Sequence, residues 1–191
     1  MAVESFMLPL GTAMPAFTLP DTVSGRAVSS TELLGKPSVV IFICNHCPYV
    51  LHIRAGLADF GRWCQERGVG MVAISSNDIV TYPADAPPLM TAEAKTAGYV
   101  FPYLFDETQA VARAFHAACT PDLYIFDAAG KLAYRGQFDD SRPKNTAPVT
   151  GKDARDAVSA LLAGRAPAAV QKASIGCGIK WKPGRDPNDD A

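Results

Sequence analysis

The sequence predicts an α/β protein in which a central mixed β-sheet is flanked by helices. Between residues 38 and 75, a buried strand, a long amphipathic helix and a second strand follow one another, which makes a βαβ unit with parallel strands. Residues 123–135 have the strand–turn–strand pattern of a hairpin, whose strands are antiparallel. A last amphipathic helix closes this part of the chain near Gly164.

The size and composition of the chain fit one globular domain with extensions. The 191 residues are 48% hydrophobic and 19% charged, which is ordinary globular usage. Lys and Arg number 18 and Asp and Glu 19, a net charge of −1, so neither nucleic acid nor a membrane surface is expected as a partner. We expect a domain over residues 1–165, with an extended lead-in at 1–37, and a partly mobile C-terminal tail at 166–191.

The first elements follow from the hydrophobic pattern. Residues 16–19 alternate as a strand does, and Ser24-Gly25 marks a turn. Residues 38–43 are a continuous β-branched and aromatic run, typical of a strand buried on both faces. Pro48 then opens a helix, because proline is favoured at the first helical position. The apolar face of this helix consists of Val50, Ile53, Leu57, Phe60 and Cys64.

The second half of the domain is predicted with the same rules. A strand at 71–75 is followed by an irregular segment that contains three prolines. Asp106 and Gln109 have the spacing of a capping box before a short helix. The hairpin strands are expected at 123–126 and 131–135, and the face of the last helix consists of Ala154, Val158, Leu161 and Leu162.

The chemistry of the chain is concentrated in the run Cys44-Asn45-His46-Cys47-Pro48. If Pro48 is the first helical residue, Cys47 is the N-cap and faces unpaired N–H groups and the positive end of the helix dipole. Both favour the thiolate and lower the thiol pKa. We therefore predict Cys47 as the attacking thiol and Cys44 as the nearest thiol to resolve it. This hypothesis requires that Cys47 is not sealed inside the protein and lies near residue 121.

The sequence gives weaker support for a redox role of the three other cysteines. Cys119 is predicted mainly as packing, with a resolving role as the alternative. Cys177 lies between two glycines that would let its segment move, so it is either a plain tail thiol or a thiol that resolves Cys47 after a chain rearrangement. Cys64 is predicted as an inert core residue. A cis Thr120–Pro121 bond would turn the Thr120 backbone toward a groove, but only about one X–Pro bond in twenty is cis.

These motifs resemble the thioredoxin-like superfamily, and more closely its redoxin branch of peroxiredoxins (the alkyl hydroperoxide reductase/thiol-specific antioxidant group) and thiol-disulfide oxidoreductases. The resemblance covers about residues 10–165 and rests on MPAFTLPDTVSG, VVIFICNHCPYV and CTPDLYIFDAAGKLAYRG. With SIGCGIKW near the C-terminus, the chain is also similar to a peroxiredoxin-like subgroup of bacterial proteins. The resemblance implies a thioredoxin-like fold, Pro121 as a cis-proline beside the active thiol, and Thr120 as the residue whose backbone pairs with a thiol substrate.

Two alignments of the thiols with this superfamily remain open. Against the thioredoxin C-x-x-C, Cys44 is the first cysteine and Cys47 the second. Against the peroxiredoxin Cys-Pro, Cys47 is the peroxidatic cysteine, Val50 stands where thioredoxin has its second cysteine, and Cys44 replaces a threonine. The predicted start of the helix at Pro48 favours the second alignment.

The resemblance implies a thiol-disulfide oxidoreductase or peroxidase of the antioxidant type, which takes a disulfide or a peroxide as substrate. A thioredoxin-type protein or a low-molecular-weight thiol would be its reductant. A redox-silent thioredoxin-like binding module is the alternative. A metal-binding protein is less favoured, because Cys44, Cys47 and a histidine (His46 or His52) fall short of a well-spaced set of four zinc ligands.

The sequence lacks the patterns of a cofactor site and of a secreted protein. No glycine-rich phosphate loop follows a predicted strand, so no bound cofactor is expected, and no metal either. The odd count of five cysteines and the absence of a signal-peptide pattern favour the cytoplasm over an oxidising compartment.

Overall fold

The computed structural model describes residues 2–187 and has a five-stranded sheet at its centre. In chain order, the strands are β1 (Ala2–Glu4), β2 (Thr18–Pro20), β3 (Ala27–Ser29), β4 (Ser38–Phe42), β5 (Gly70–Ser75), β6 (Tyr103–Phe105), β7 (Cys119–Thr120), β8 (Asp122–Phe126), β9 (Leu132–Gly136) and β10 (Ile175–Gly178). The α-helices are α1 (Pro48–Gln65), α2 (Pro87–Ala97), α3 (Ala110–Ala114) and α4 (Lys152–Leu162). Single 3₁₀ turns are found at Ser30–Leu33 and Pro83–Asp85.

The central sheet is mixed, as the sequence predicts. Its strand order is β6-β5-β4-β8-β9, with β4 at the middle. β4 runs parallel to β5 and antiparallel to β8, and β8 and β9 form the predicted hairpin. The helix α1 connects β4 to β5 and completes the predicted βαβ unit. The mixed sheet and the flanking helices give the thioredoxin-like architecture.

Both faces of the sheet are covered, because the side chains of β4 alternate between two apolar clusters. Val39 and Ile41 pack in the cluster that contains α1 and α4, whereas Val40 and Phe42 pack in the cluster that contains α3. The predicted face of α1 is buried at all five positions, namely Val50, Ile53, Leu57, Phe60 and Cys64. Burial of this face holds the N-terminus of α1 against the end of β4.

The capping box predicted for α3 is wrong. Gln109 is itself the N-cap, and the Oδ2 atom of Asp106 accepts a hydrogen bond from the N–H of Ala112 at 2.9 Å. The side-chain amide of Gln109 donates instead to the carbonyl oxygens of Ser76 (2.7 Å) and Lys180 (2.9 Å). The side chain of Gln109 is therefore engaged in tertiary hydrogen bonds, and it does not take part in a capping box with Asp106.

The segment predicted as a C-terminal tail contributes a strand to a second sheet. β10 lies between β1 and β7 and pairs antiparallel with both. Ile179 is buried, and Trp181 packs against the cluster that contains α3. Residues 188–191 of the expected tail lie outside the described residues. No helix within residues 2–187 is both long and apolar enough to cross a membrane.

Candidate active site

The turn at residues 44–47 follows β4 and is held in place by Asn45. The backbone N–H of Asn45 donates to Oδ1 of Asp85 at 2.8 Å. The hydroxyl of Tyr103 donates to the side-chain oxygen of Asn45 at 3.1 Å. Because Asp85 and Tyr103 are buried, these contacts fix the backbone that carries both thiols of the turn.

Cys47 occupies the position that the sequence predicts. It is the N-cap of α1, and Pro48 is the first helical residue. The Thr120–Pro121 peptide bond is cis, as the family resemblance implies. The Sγ atom of Cys47 lies 3.0 Å from the backbone carbonyl oxygen of Thr120, to which Cys47 donates when it is protonated. Cys47 therefore lies next to Pro121, which is one of the two conditions of the redox hypothesis.

Cys44 also lies close to Thr120. Its Sγ atom is 3.5 Å from the Thr120 hydroxyl oxygen. Cys44 also interacts with Cys47, and this interaction lowers the pKa of Cys47 and raises that of Cys44. The structure thus brings together Cys44, Cys47 and Thr120, which the sequence analysis had named as catalytic and substrate-binding residues.

The second condition, that Cys47 is not sealed inside the protein, is not met in this conformation. The exposed fraction of Cys47 is 0%. Its cover includes the chain's own strand β10, in which Cys177 pairs with Thr120. Cys177 packs against the apolar cluster that contains Cys47, and its side chain and backbone lower the pKa of Cys47. The group that covers the predicted nucleophile is therefore another thiol of the same chain.

Gly176 allows this close approach of β10. A Cβ atom at this position would lie 1.9 Å from the carbonyl oxygen of Thr120 and 2.5 Å from its carbonyl carbon. Both are backbone atoms, which have little freedom to move away. The glycine before Cys177 is thus needed for packing, and not for the mobility that its sequence context suggested.

The two thiols of the turn are ionised unequally. The hydrogen bond with Cys44 is the largest cause that lowers the pKa of Cys47, and the side chains of Thr120 and Cys177 add to it. The same bond and burial raise the pKa of Cys44 well above its ordinary value. The Cys47 side chain makes no capping hydrogen bond with α1, so the main cause of its lowered pKa differs from the helix N-terminus on which the sequence prediction rested.

Cys177 differs from Cys47 in its protonation. Burial, followed by the hydrogen bond with Cys47, raises the pKa of Cys177 to about 11. Near neutral pH, Cys177 is therefore a thiol that lies against a thiolate. A thiolate and a thiol in contact are the two reactants needed to form an internal disulfide after the thiolate is oxidised.

The remaining two cysteines, Cys64 and Cys119, are both fully buried. Cys64 is buried on α1, and burial raises its pKa to about 12, which suits the predicted inert core residue. Cys119 is fully buried, with Sγ 3.5 Å from the carbonyl oxygen of Pro121, and burial raises its pKa. All five cysteines are free thiols in this structure.

Asp85 is a site residue that the sequence analysis missed. Its side chain is completely buried, and its Oδ2 atom lies 2.8 Å from Nδ1 of His46. The His46 ring stacks on Tyr82, with 5.4 Å between the ring centroids. Asp85 belongs to a proline-rich irregular segment with no hydrophobic periodicity, so no sequence pattern indicated that its carboxylate would lie near Cys44.

Three donor atoms near the turn have the spacing of metal ligands. Within residues 2–187, Sγ of Cys44, Nδ1 of His46 and a carboxylate oxygen of Asp85 lie within 4.8 Å of one another. A closed structural zinc site uses four ligands, so these three form an incomplete set.

A family model supports the same chemistry. The AhpC/TSA family model matches residues 10–135, about two thirds of the chain. The chain belongs to the AhpC/TSA family. This membership and the thiol site agree on thiol-dependent redox chemistry for the protein.

Two solved structures resemble the chain over nearly its whole length. An uncharacterized conserved protein from Geobacillus kaustophilus is 51% identical, with a TM-score of 0.94, and the match covers 96% of this chain and 97% of that chain. A hypothetical protein from Sinorhizobium meliloti 1021 is 44% identical, with a TM-score of 0.92, over 95% and 99% of the two chains.

A more distant similarity shows the fold alone. A thiol:disulfide interchange protein of the thioredoxin family from Chlorobium tepidum TLS is 21% identical, with a TM-score of 0.62, over 82% of this chain and 99% of that chain. No curated protein matches the sequence.

Proposed function

We propose that the protein is a thiol-dependent peroxidase or thiol-disulfide oxidoreductase in which Cys47 is the nucleophile and Cys177 is the second thiol. One observation carries the proposal: β10 pairs with Thr120 and so places Cys177 against Cys47 at the start of α1. A thiolate with a lowered pKa attacks an oxidised substrate, and a thiol in contact with it completes the reaction.

With a hydroperoxide, the reaction has two steps inside the protein. The Cys47 thiolate attacks the hydroxyl oxygen of the peroxide, the O–O bond breaks, and the leaving alkoxide or hydroxide takes up a proton. Cys47 is then a sulfenic acid. The Cys177 sulfur attacks the Cys47 sulfur, the S–O bond breaks, and water leaves with the proton from Cys177.

With a disulfide, the Cys47 thiolate attacks one sulfur and releases the other as a thiolate, which leaves a mixed disulfide on Cys47. Cys177 then displaces the bound half as a second thiol. Both routes end in a Cys47–Cys177 disulfide. Two electrons from an external dithiol, from a thioredoxin-type protein, or from two low-molecular-weight thiols return both residues to thiols.

The burial of Cys47 favours the peroxide as substrate. β10 occupies the edge of β7, where the backbone of an extended polypeptide substrate would pair with Thr120. A protein disulfide would therefore reach Cys47 only after β10 leaves, whereas a small peroxide needs a smaller opening. The reducing cytoplasm, which supplies both types of reductant, is the compartment that we propose for the cycle.

Peroxide titration followed by mass spectrometry tests the proposal. One equivalent of hydrogen peroxide should remove two hydrogen atoms from the wild-type protein, and peptide mapping should find a Cys47–Cys177 bridge. Cys177→Ser should instead accumulate a sulfenic acid at Cys47, and Cys47→Ser should remain unmodified. Cys64→Ser is the matched control and should form the same bridge as the wild type.

Two results would contradict the assignment. If Cys47 stays reduced while another cysteine is oxidised, Cys47 is not the nucleophile. If the bridge joins Cys44 to Cys47 in the wild type, Cys44 is the second thiol and Cys177 is only a cover. Two assays then compare the substrate classes. Peroxide consumption coupled to thioredoxin measures activity on peroxides, and insulin reduction measures activity on protein disulfides.

A further inference from the structure

Three donor atoms of different chemistry meet beside the turn that carries the thiols. Sγ of Cys44, Nδ1 of His46 and a carboxylate oxygen of Asp85 lie within 4.8 Å of one another. Cys44 and His46 belong to the turn between β4 and α1, whereas Asp85 belongs to the 3₁₀ turn Pro83–Asp85. Thiolate, imidazole and carboxylate are the three kinds of side-chain ligand that zinc takes in proteins. The group therefore has the chemistry of a zinc site.

The contact between His46 and Asp85 is the second observation. Nδ1 of His46 lies 2.8 Å from Oδ2 of Asp85, yet within residues 2–187 this buried nitrogen has no hydrogen-bond partner. Two atoms that bind the same zinc ion, each about 2.0–2.2 Å from it, are separated by roughly 2.9–3.5 Å. The nitrogen and the oxygen are therefore close to the spacing of two ligands of one ion, and a hydrogen bond does not account for their approach.

The surroundings orient two of the three donors and leave one side open. Oδ1 of Asp85 accepts the N–H of Asn45, and Oδ2 accepts the side-chain amide of Asn77, each at 2.8 Å. Carboxylates that bind metal ions are themselves hydrogen-bonded in this way. The His46 ring is stacked on Tyr82. Because the His46 side chain is 31% exposed and that of Asp85 is 0% exposed, solvent reaches the group from the side of His46.

We propose that Cys44, His46 and Asp85 bind one zinc ion in an open site, with three protein ligands and a fourth position for water. A closed structural site needs a fourth residue, whereas zinc sites with an open position use three. Movements of roughly 1 Å would bring the three donors to ligand distances from one ion. On binding, the Cys44 S–H bond is replaced by a zinc–sulfur bond, and the proton leaves to solvent.

The proposed zinc site uses neither thiol of the proposed redox cycle. Cys47 lies outside the group of three donors. The proposed disulfide joins Cys47 to Cys177, which leaves Cys44 available to the ion. Zinc binding and disulfide formation are therefore separate properties, and either can fail without the other.

Metal titration of the reduced, metal-free protein under nitrogen tests the site. Isothermal titration calorimetry with zinc chloride should show one ion per chain. Cobalt(II), used as a coloured substitute for zinc, should give a sulfur-to-metal charge-transfer band. Cys44→Ser should remove this band. Cys47→Ser should keep the band and the stoichiometry, which separates the proposed site from chelation by the two cysteines of the turn.

His46→Ala and Asp85→Asn remove the other two ligands and should each weaken zinc binding by about tenfold or more. The matched controls are His52→Ala and Asp106→Asn, since neither residue belongs to the group of three donors and Asp106 is also fully buried. Both controls should bind zinc as the wild type does. Circular dichroism checks the folding of each variant, and His46→Ala, at a partly exposed position, decides the matter if Asp85→Asn does not fold.

Three results would overturn the proposal. The first is that the wild type does not bind zinc, and the second is that the cobalt band disappears in Cys47→Ser. The third is that zinc affinity is unchanged in both His46→Ala and Asp85→Asn, which would show an adventitious ion held by thiols only. A failure of the proposed function would appear elsewhere, as a Cys47 that stays reduced in the peroxide titration.

Discussion

The close packing of β10 on Thr120 predicts a specific defect in Gly176→Ala. The added Cβ atom would start 1.9 Å from the Thr120 carbonyl oxygen. A carbon–oxygen contact needs about 3.3 Å, so β10 must retreat by roughly 1.4 Å at this point. Hydrogen bonds of ordinary length do not survive such a shift, and the loss of one or two of them costs about 1–3 kcal/mol.

The chemical consequence of this shift is larger than the loss of stability. Cys177 follows Gly176 directly and would move away from Cys47 with the strand. A misplacement of about 1 Å can slow a reaction between positioned groups by about 10²-fold. We therefore expect the oxidation of Cys47 by peroxide to proceed at least as fast as in the wild type, while closure of the Cys47–Cys177 disulfide becomes about 10²-fold slower.

Gly178→Ala is the matched control on the same strand. Its added Cβ would lie 3.4 Å from a side-chain atom of Val3 and 3.9 Å from the carbonyl oxygen of Ala118, which are ordinary contacts. Rapid-quench alkylation with mass spectrometry would follow the sulfenic acid and the disulfide separately. Equal closure rates in Gly176→Ala, Gly178→Ala and the wild type would refute the argument that β10 positions Cys177.

Three further predictions follow from the buried groups. Because the pKa of Cys47 is lowered, its oxidation rate should stay nearly level from about pH 8 to about pH 6, and Cys44→Ala should slow it about tenfold near pH 6 in stopped-flow assays. Cys64→Ala should cost about 1 kcal/mol in urea unfolding without slowing disulfide formation, since Cys64 is a packed core residue. Burial raises the pKa of Asp122 to about 7 from 3.8, so stability that is complete in acid is lost as the pH rises toward 7. Urea unfolding should show this decline in the wild type, and Asp122→Asn should abolish it.

The part of the fold that depends on local pattern was predictable from the sequence. The continuous apolar run at β4 and the regular spacing on α1 both record burial, and the structure confirms both. The start of α1 at Pro48 was also correct, because proline has a positional preference that does not depend on distant contacts. This one boundary placed Cys47 at the N-cap.

The part of the site that depends on distant pairing was not predictable from those patterns. β10 is Ile-Gly-Cys-Gly, which has few of the residue types enriched in strands, and its partners β1 and β7 come from other parts of the chain. The position of Asp85 beside the turn likewise depends on its hydrogen bonds with Asn45 and Asn77, which lie on different loops. Periodicity contains no information about such contacts, whereas the two glycines beside Cys177 at least marked it as a candidate resolving thiol.

The hydrogen bonds at both ends of β10 bear on how Cys177 acts. Before the strand, the N–H of Ser174 donates to the hydroxyl of Ser5 at 2.9 Å, and the Ser174 hydroxyl donates to the carbonyl oxygen of Gly136. After the strand, the N–H of Lys180 donates to Asn77, and the Lys180 carbonyl accepts the N–H of Asp78 at 2.8 Å. The segment is thus attached on both sides of Cys177.

Because the segment is attached on both sides, the chain rearrangement that Gly176 and Gly178 suggested is not needed to bring Cys177 to Cys47. Cys177 pairs with Thr120, whose carbonyl oxygen lies 3.0 Å from Sγ of Cys47, so we expect a disulfide to close without release of either end of β10. Because both ends of β10 are held, the opening that admits an oxidant is local, and this favours a small peroxide over an extended polypeptide. Under the proposed function, the burial of Cys47 is compatible with its reactivity, because β10 would exclude large substrates and would supply the thiol that completes the reaction.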